Sequence, residues 1–192
     1  VEQLKQGDMV WTKDDGYQAI RWIGARTFNE ADLSLNERTR PIRIAKGSIG
    51  QDMPERDLLV SPQHRVLVNS RIAKRMTNED EVLVSAKHML QITGIDVVND
   101  IDEVMYVHFM FDRHQIVEAE GVLSESLYAG PQAIRSLLPE ARAELLELFP
   151  ELADISVLGP VPARMLLSGR QGRKLVQRQI HNKKPLIQPN VE

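Results

Sequence analysis

The stretch Leu58-Leu59-Val60-Ser61-Pro62-Gln63-His64-Arg65-Val66-Leu67-Val68 places a polar corner between two short apolar runs. Proline has a fixed φ and no N–H for a sheet ladder, so Ser61 to Gln63 is predicted to form a tight turn between two β-strands. His64 then lies where the turn enters a buried strand. Because imidazole titrates near neutrality and a hydroxyl can hold a carbonyl group, His64 and Ser61 are candidate catalytic residues. The alternative is a structural histidine whose ring nitrogens are satisfied by backbone groups.

The composition is that of an ordinary globular protein. Of the 192 residues, 42% are hydrophobic and 27% are charged, and the net charge of −3 gives no overall attraction to nucleic acid or to an anionic membrane. No apolar run reaches the ~18 residues that a membrane helix needs. Cysteine is absent, which excludes disulfides, thiolate metal sites and a cysteine nucleophile from this sequence. The compartment, cytoplasmic or secreted, stays open.

Short apolar segments separated by polar turns continue along the chain to about residue 130. Asp14-Asp15-Gly16 has the composition of a hairpin turn, followed by a strand from Tyr17 to Ile23. Residues 25–40 are predicted as a loop or a short helix, Arg71 to Glu81 as a solvated connection, and Ser85 as the cap of one helical turn through Leu90. The remaining predicted strands are 9–12, 42–46, 58–60, 66–68, 82–84, 95–98, 104–111, 115–119 and 122–123. This pattern predicts a mainly β fold.

The character of the chain changes after Gly130-Pro131. Apolar residues at helical spacing predict an amphipathic helix from Pro139 to Phe149, whose Leu145, Leu148 and Phe149 pack on the β core. The segment from Arg164 to Lys184 is basic and contains no acid, which predicts a solvated tail or an arm that packs on a protein partner. Its lack of aromatic residues argues against nucleic-acid binding. The predicted parts are a β domain (1–130), a helical extension (131–150) and a basic tail or arm (151–192).

Six short motifs follow one another along the first part of the chain. They are Leu4-Lys5-Gln6-Gly7-Asp8-Met9-Val10, Gln18-Ala19-Ile20-Arg21-Trp22-Ile23-Gly24, Ser61-x-x-His64, Val82 to Leu90, Tyr106 to His114, and Gly121 to Ser126. Together they resemble the Hedgehog/intein (Hint) family of self-processing domains, in its bacterial form, over about residues 1–130. The resemblance implies a compact β fold of many short strands.

The resemblance also implies a chemistry. In this family the first residue, Cys or Ser, attacks the carbonyl before it, and a histidine protonates the departing amide nitrogen. Carried over to this chain, His64 is the acid, Ser61 orients the scissile unit, and His114 is a second acid–base group. Asp112 is a candidate beside His114, although the family places its Asp further upstream, where this chain has Val107. His64 and His114 are accordingly predicted to converge on one small cavity.

Two departures from the family pattern shape the expected function. Inteins end in His-Asn, whereas the corresponding positions here hold Glu125 and Ser126, so asparagine cyclisation is not expected. The strand that would carry the nucleophile is also missing, and the chain is therefore expected to be a fragment that is inert toward itself. The expected function is N-terminal self-processing within a larger bacterial protein, with the N-terminal polypeptide as substrate in cis.

Two alternatives remain open. One is a non-catalytic Hint-fold interaction module, whose helix and basic tail dock on a protein partner, with no role at a membrane. The other is a metal site built from His64, His88, His108, His114 and Asp112. On a strand, His108 and His114 would lie roughly 20 Å apart, which argues against a shared ion. No cofactor is expected, and His88 is interpreted as structural because no second chemical group lies at a matching spacing.

Overall fold

Twelve β-strands and four α-helices form the described part of the chain, residues 1–130, 134, 137–148 and 161–188, in a computed structural model. The fold is mainly β, as the sequence predicts. The elements are β1 (Met9–Thr12), β2 (Gly16–Ala19), β3 (Trp22–Asn29), α1 (Glu30–Leu35), β4 (Ile42–Ile44), β5 (Leu58–Val60), β6 (Arg65–Val68), α2 (Arg71–Thr77), β7 (Val82–Ser85), β8 (Ile95–Val97), β9 (Glu103–Met110), β10 (Ile116–Ala119), β11 (Val122–Glu125), α3 (Pro139–Leu148), β12 (Met165–Leu166) and α4 (Gly169–His181).

The chain divides into two compact units, each assembled from three separate segments. The first unit contains Val1–Thr27, Met105–Val117 and Glu125–Ala163, and the second contains Phe28–Val104, Glu118–Ser124 and Arg164–Glu192. No helix in the described ranges combines the length and the apolar character needed to cross a membrane.

The first unit begins with the predicted hairpin. β1 and β2 pair antiparallel, with Met9 opposite Ala19 and Thr12 opposite Gly16, and β10 joins the other side of β1. The prediction of a single strand from Tyr17 to Ile23 is wrong, because β2 ends at Ala19 and β3 begins at Trp22. At this break the N–H of Arg21 donates to the carbonyl of Met110 at 2.8 Å.

The predicted C-terminal helix is present as α3, and its Leu145 is fully buried. Leu145 packs in one cluster with Trp22 and Met110, which lie on β3 and β9, so this part of the predicted packing on the β core is confirmed. The side chain of Leu148 and residue Phe149 lie outside the described residues.

The second unit contains most of the buried apolar residues. β4 is the central strand of a three-stranded sheet, with β5 and β8 antiparallel on either side. In a second group of strands, β7 lies between the antiparallel β6 and the parallel β12, while β11 pairs with the other edge of β6. All four residues of β7 are buried, which agrees with the apolar sequence of its first three residues, Val82 to Val84.

Two predictions for this unit are wrong in detail. The polar stretch after Ser70 forms α2 rather than a solvated connection, because the Ser70 hydroxyl accepts the N–H of Ala73 at 3.1 Å and Ala73 is fully buried. Asn78, with φ at 64°, ends this helix in the left-handed conformation. Ser85 precedes only a 3₁₀ turn, Ala86–His88, and its side chain makes no capping hydrogen bond there.

The basic segment also differs from the solvated tail expected from its charge, while its docking on a protein partner stays a prediction. Ser168 and Gln171 form a reciprocal capping box at the start of α4, a helix of 13 residues. Leu175 and Val176 are fully buried in the core of the second unit, whereas the arginines and lysines of the helix are exposed. The charges thus lie on the outer face of an element that is part of the core.

Candidate functional site

The four residues Ser61 to His64 form the predicted turn between β5 and β6. The N–H of His64 donates to the carbonyl of Ser61 at 3.0 Å, with Pro62 at the second turn position, where its fixed φ is favourable. Two more backbone bonds join the turn to the segment after β7: the N–H of Ala86 donates to the His64 carbonyl at 2.9 Å, and that of Lys87 to the Pro62 carbonyl at 3.1 Å. The turn is therefore fixed from both sides, and the side chains of Ser61 and His64 are half-buried.

Positive charges gather beside this turn. Partial burial lowers the pKa of the Lys87 ammonium, and the charges of Arg65, Arg173 and Arg38 lower it further. Arg65 begins β6 directly after His64 and pairs with Ser85 across the strand ladder. Such a cluster creates a positive potential that favours a developing negative charge nearby.

In the first unit, His114 is buried between three groups. Its ring nitrogen Nδ1 accepts the N–H of Ala163 at 3.0 Å, and Nε2 lies 3.4 Å from the Oε2 atom of Glu125. The His114 and Glu125 side chains are only 1% and 7% exposed. The ring of Tyr128 lies beside the imidazole, with 5.2 Å between the two centroids.

The contact with Ala163 decides which nitrogen of neutral His114 carries the proton. A nitrogen that accepts a hydrogen bond must present its lone pair, so the proton is assigned to Nε2, on the side of the Glu125 carboxylate. At 3.4 Å Nε2 makes no hydrogen bond among the described residues, although the carboxylate is near enough to attract its proton. His114 and Glu125 thus form a buried acid–base pair.

Backbone pairing places Glu125 beside His114. The N–H of Gln115 donates to the Ser126 hydroxyl at 3.0 Å, and the N–H of Ser126 donates to the Gln115 carbonyl at 2.9 Å. These two bonds join the residue after His114 to the residue after Glu125. Because both partners are buried, the register between them is well defined.

Comparison with protein-family models matches residues 1–131 to the Hint domain. The chain belongs to the Hint domain family. Among curated proteins, no significant match is found for this chain. This match confirms the resemblance drawn from the motifs at the level of the family. Hint domains are generally associated with self-processing.

Within this Hint domain, Asp112 lies apart from the His114 pair. Its carboxylate oxygen Oδ1 lies 3.1 Å from Nε of Arg21, and both side chains are more than half exposed. The acidic partner of His114 is Glu125, which sequence reasoning considered only as a substitute for the intein ending. The signal that could have identified it is a carboxylate at the end of a strand that is otherwise apolar or hydroxyl-bearing.

His64 and His114 fall in different compact units of the Hint domain. The expectation that they converge on one cavity stays a prediction, as do the catalytic roles of Ser61, His64, His114 and Asp112. Within the described residues, no three His, Asp or Glu side chains come close enough together to hold a metal ion.

His88 of this Hint domain packs against the start of α4. A Cβ atom added to Gly172 would lie 3.2 Å from Nδ1 of His88, and one added to Gly169 would lie 3.1 Å from Nε2. Both glycines therefore let the helix approach the imidazole closely. Burial lowers the pKa of His88, and the positive charges of Lys87, Arg173 and Arg65 add to this effect. A neutral, tightly packed ring supports a structural role for His88.

Proposed function

We propose that this Hint domain is self-processing and cleaves the peptide bond on its N-terminal side by an acyl shift. The observation that carries the proposal is the fixed turn that holds Ser61 and His64 together, in a chain that belongs to a family associated with self-processing. In this proposal the substrate is the polypeptide in cis, and no cofactor takes part.

The proposed reaction has one nucleophile and one proton donor. A hydroxyl or thiol at the scissile junction attacks the preceding carbonyl carbon, and the carbonyl oxygen becomes an oxyanion. The neutral His64 imidazole takes the proton of the attacking hydroxyl or thiol. The C–N bond then breaks, an ester or thioester forms, and the imidazolium of His64 gives this proton to the departing nitrogen, which leaves as a free amine. Ser61 orients the carbonyl group, and the positive charges of Arg65 and Lys87 stabilise the oxyanion.

His114 has a proposed role as the second acid–base group. Its Nδ1 lone pair is occupied by the Ala163 N–H, so the group that His114 offers to the reaction is the Nε2–H, which lies beside Glu125. Glu125 therefore takes the position that we first assigned to Asp112, since a buried carboxylate 3.4 Å away interacts far more strongly than one paired at the surface.

The positions after Gly121 restrict the reaction to the N-terminal side. Asparagine cyclisation needs a side-chain amide nitrogen that attacks the next carbonyl, and neither Glu125 nor Ser126 has one. The proposed reaction is therefore cleavage without splicing, by water or another nucleophile.

The test is intact-mass spectrometry of the full-length polypeptide as it is encoded. Wild-type protein is expected to produce two fragments that separate at the N-terminal junction, and His64→Ala is expected to slow cleavage about 10²–10⁴-fold, the range for loss of a positioned general acid. Gln63→Ala is the matched control, because Gln63 is exposed in the same turn and has no proposed role. Equal cleavage in wild type and His64→Ala would exclude His64 as the acid, and no cleavage in any form would favour the non-catalytic interaction module.

A further inference from the structure

A groove of about 810 Å³ lies between α2 and the C-terminal part of α4, within the second unit. Four side chains that are charged at neutral pH line it: Arg71, Arg75, Arg178 and Lys184. No acidic residue is among the described residues that line the groove. All the formally charged side chains among these described lining residues are therefore positive, although the chain as a whole has a net charge of −3.

None of these four cations forms an ion pair within the part of the chain that the structure describes. Their neighbours behave differently, since Lys74 pairs with Asp80 and Arg164 pairs with Glu81 at 2.7 Å. Acidic residues are thus present near α2 but bind cations outside the groove. Among the described residues the positive charge of the groove is therefore not compensated, and an anionic ligand could neutralise it.

The stability of α2 does not explain why a cation, Arg71, lies at its first position. Arg71 is the first residue of α2, directly after the capping residue Ser70. The partial positive charge of a helix N-terminus disfavours a cation there, whereas Arg178, in the last turn of α4, is at the favourable end of its helix.

The remaining lining residues distinguish between classes of anion. Ile72 and Pro185 contribute apolar surface to the groove, and no aromatic side chain is among its described lining residues. Sites that bind single-stranded nucleic acid combine positive charge with aromatic stacking, which is missing here. Guanidinium groups match the planar geometry of carboxylates, and apolar surface favours an aliphatic side chain. The volume is within the range of pockets that enclose ligands of moderate size, about 300–1,000 Å³, which fits a short peptide segment.

From these observations we infer that the groove binds a short acidic peptide segment. Its carboxylates pair with Arg71, Arg75 and Arg178, and an aliphatic side chain between them packs against Ile72 and Pro185. This binding is independent of the proposed self-processing reaction, because it uses none of the residues assigned to that reaction.

The test is fluorescence anisotropy with a labelled pentapeptide, Glu-Asp-Leu-Glu-Asp, titrated with the full chain at fixed ionic strength. The expected result is saturable binding, with at least about tenfold weaker binding of the neutral peptide Gln-Asn-Leu-Gln-Asn. Arg75→Ala and Arg71→Ala are each expected to weaken binding of the acidic peptide about tenfold, the range for loss of one charged hydrogen-bonding partner. Arg170→Ala is the matched control, because Arg170 is exposed near the opposite end of α4 and does not line the groove.

Three results would overturn the inference. They are the absence of saturable binding, an equal loss of affinity in Arg170→Ala, which would indicate diffuse attraction, and tighter binding of labelled oligothymidylate than of the acidic peptide, which would assign the groove to phosphates. Thermal unfolding followed by circular dichroism checks that each variant is folded, and agreement between the Arg71 and Arg75 variants would support the groove as the binding site.

Discussion

At the scale of single residues, His88 illustrates how packing controls a proton. Its ring lies against Gly169 and Gly172 of α4, and Lys87, Arg173 and Arg65 are near enough for their positive charges to act on it. Burial is the largest cause of the lowered pKa, and the neighbouring cations act in the same direction. The folded protein therefore disfavours the imidazolium form, whereas the unfolded chain binds that proton with the ordinary affinity of histidine.

This difference predicts a pH dependence of stability. The stability contributed by neutral His88 is fully present above the ordinary histidine pKa of 6.5 and is lost as the pH falls toward the lowered pKa of the folded state. From about pH 8 to about pH 5, the free energy of unfolding should fall more steeply in wild type than in His88→Gln, whose side chain does not titrate. Urea denaturation at a series of pH values measures this.

The control for the pH series is His181→Gln, because His181 is exposed on α4. That variant should follow the wild-type curve. If His88→Gln instead follows wild type as closely as His181→Gln does, the buried ring of His88 contributes nothing to the pH dependence.

The residues of the candidate site differ in how far the sequence could predict them. The turn at Ser61 to His64 depends on local preferences of proline and serine, and it forms as predicted. The pairing of His114 with Glu125 depends on the register of two chain segments that only the tertiary structure brings together. Asp112 is close to His114 in sequence, yet it pairs with Arg21 at the surface instead.

At the scale of elements, α4 was missed because its charge obscured its apolar face. The buried residues Gly172, Leu175, Val176 and Gln179 follow the i, i+3, i+4, i+7 spacing of a helix that packs on a core. Composition averages over this spacing, and the segment therefore resembles a solvated tail. The same reason explains α2, where Ala73 is the single fully buried residue within a polar sequence.

The packing of α4 predicts a large effect of one substitution. Leu175 is completely buried, so Leu175→Ala should lower the free energy of unfolding by about 2–5 kcal/mol through lost contacts and a residual cavity. Ile180 lies on the same helix but is 45% exposed, and Ile180→Ala should change it by less than about 0.5 kcal/mol. Equilibrium urea unfolding compares the two. A negligible effect of Leu175→Ala would contradict the packing of α4 on the core and favour the solvated tail expected from the charge of this segment.

At the scale of the whole molecule, the chain passes repeatedly between its two units. It crosses after Thr27, Val104, Val117, Ser124 and Ala163, and each unit needs three segments to be complete. Neither unit can form from a continuous piece of the sequence. A mainly β fold could be predicted from the alternation of strands and turns, but this division could not, because it depends on contacts between distant segments.

This interleaving predicts cooperative unfolding. Both tryptophans, Trp11 and Trp22, belong to the first unit, so tryptophan fluorescence follows that unit alone, whereas far-ultraviolet circular dichroism follows both. The two signals should give coincident transitions in urea, as for a single two-state domain. Transitions with separate midpoints would instead show that each unit unfolds by itself despite the shared chain.

The pairing of β12 with β7 has a consequence for synthesis on the ribosome. Leu166 pairs with Leu83, a residue 83 positions earlier, so that side of β7 has no partner while the intervening chain is made. At about 5–20 residues per second this lasts roughly 4–17 s, during which an apolar strand edge is open to other nascent chains. Glu79, Asp80 and Glu81 directly precede β7 and can repel such chains as charged gatekeepers. Glu81 is also the residue that Arg164 binds at 2.7 Å. The same carboxylate can therefore repel other chains before β12 is made and then form an ion pair with the residue that directly precedes β12.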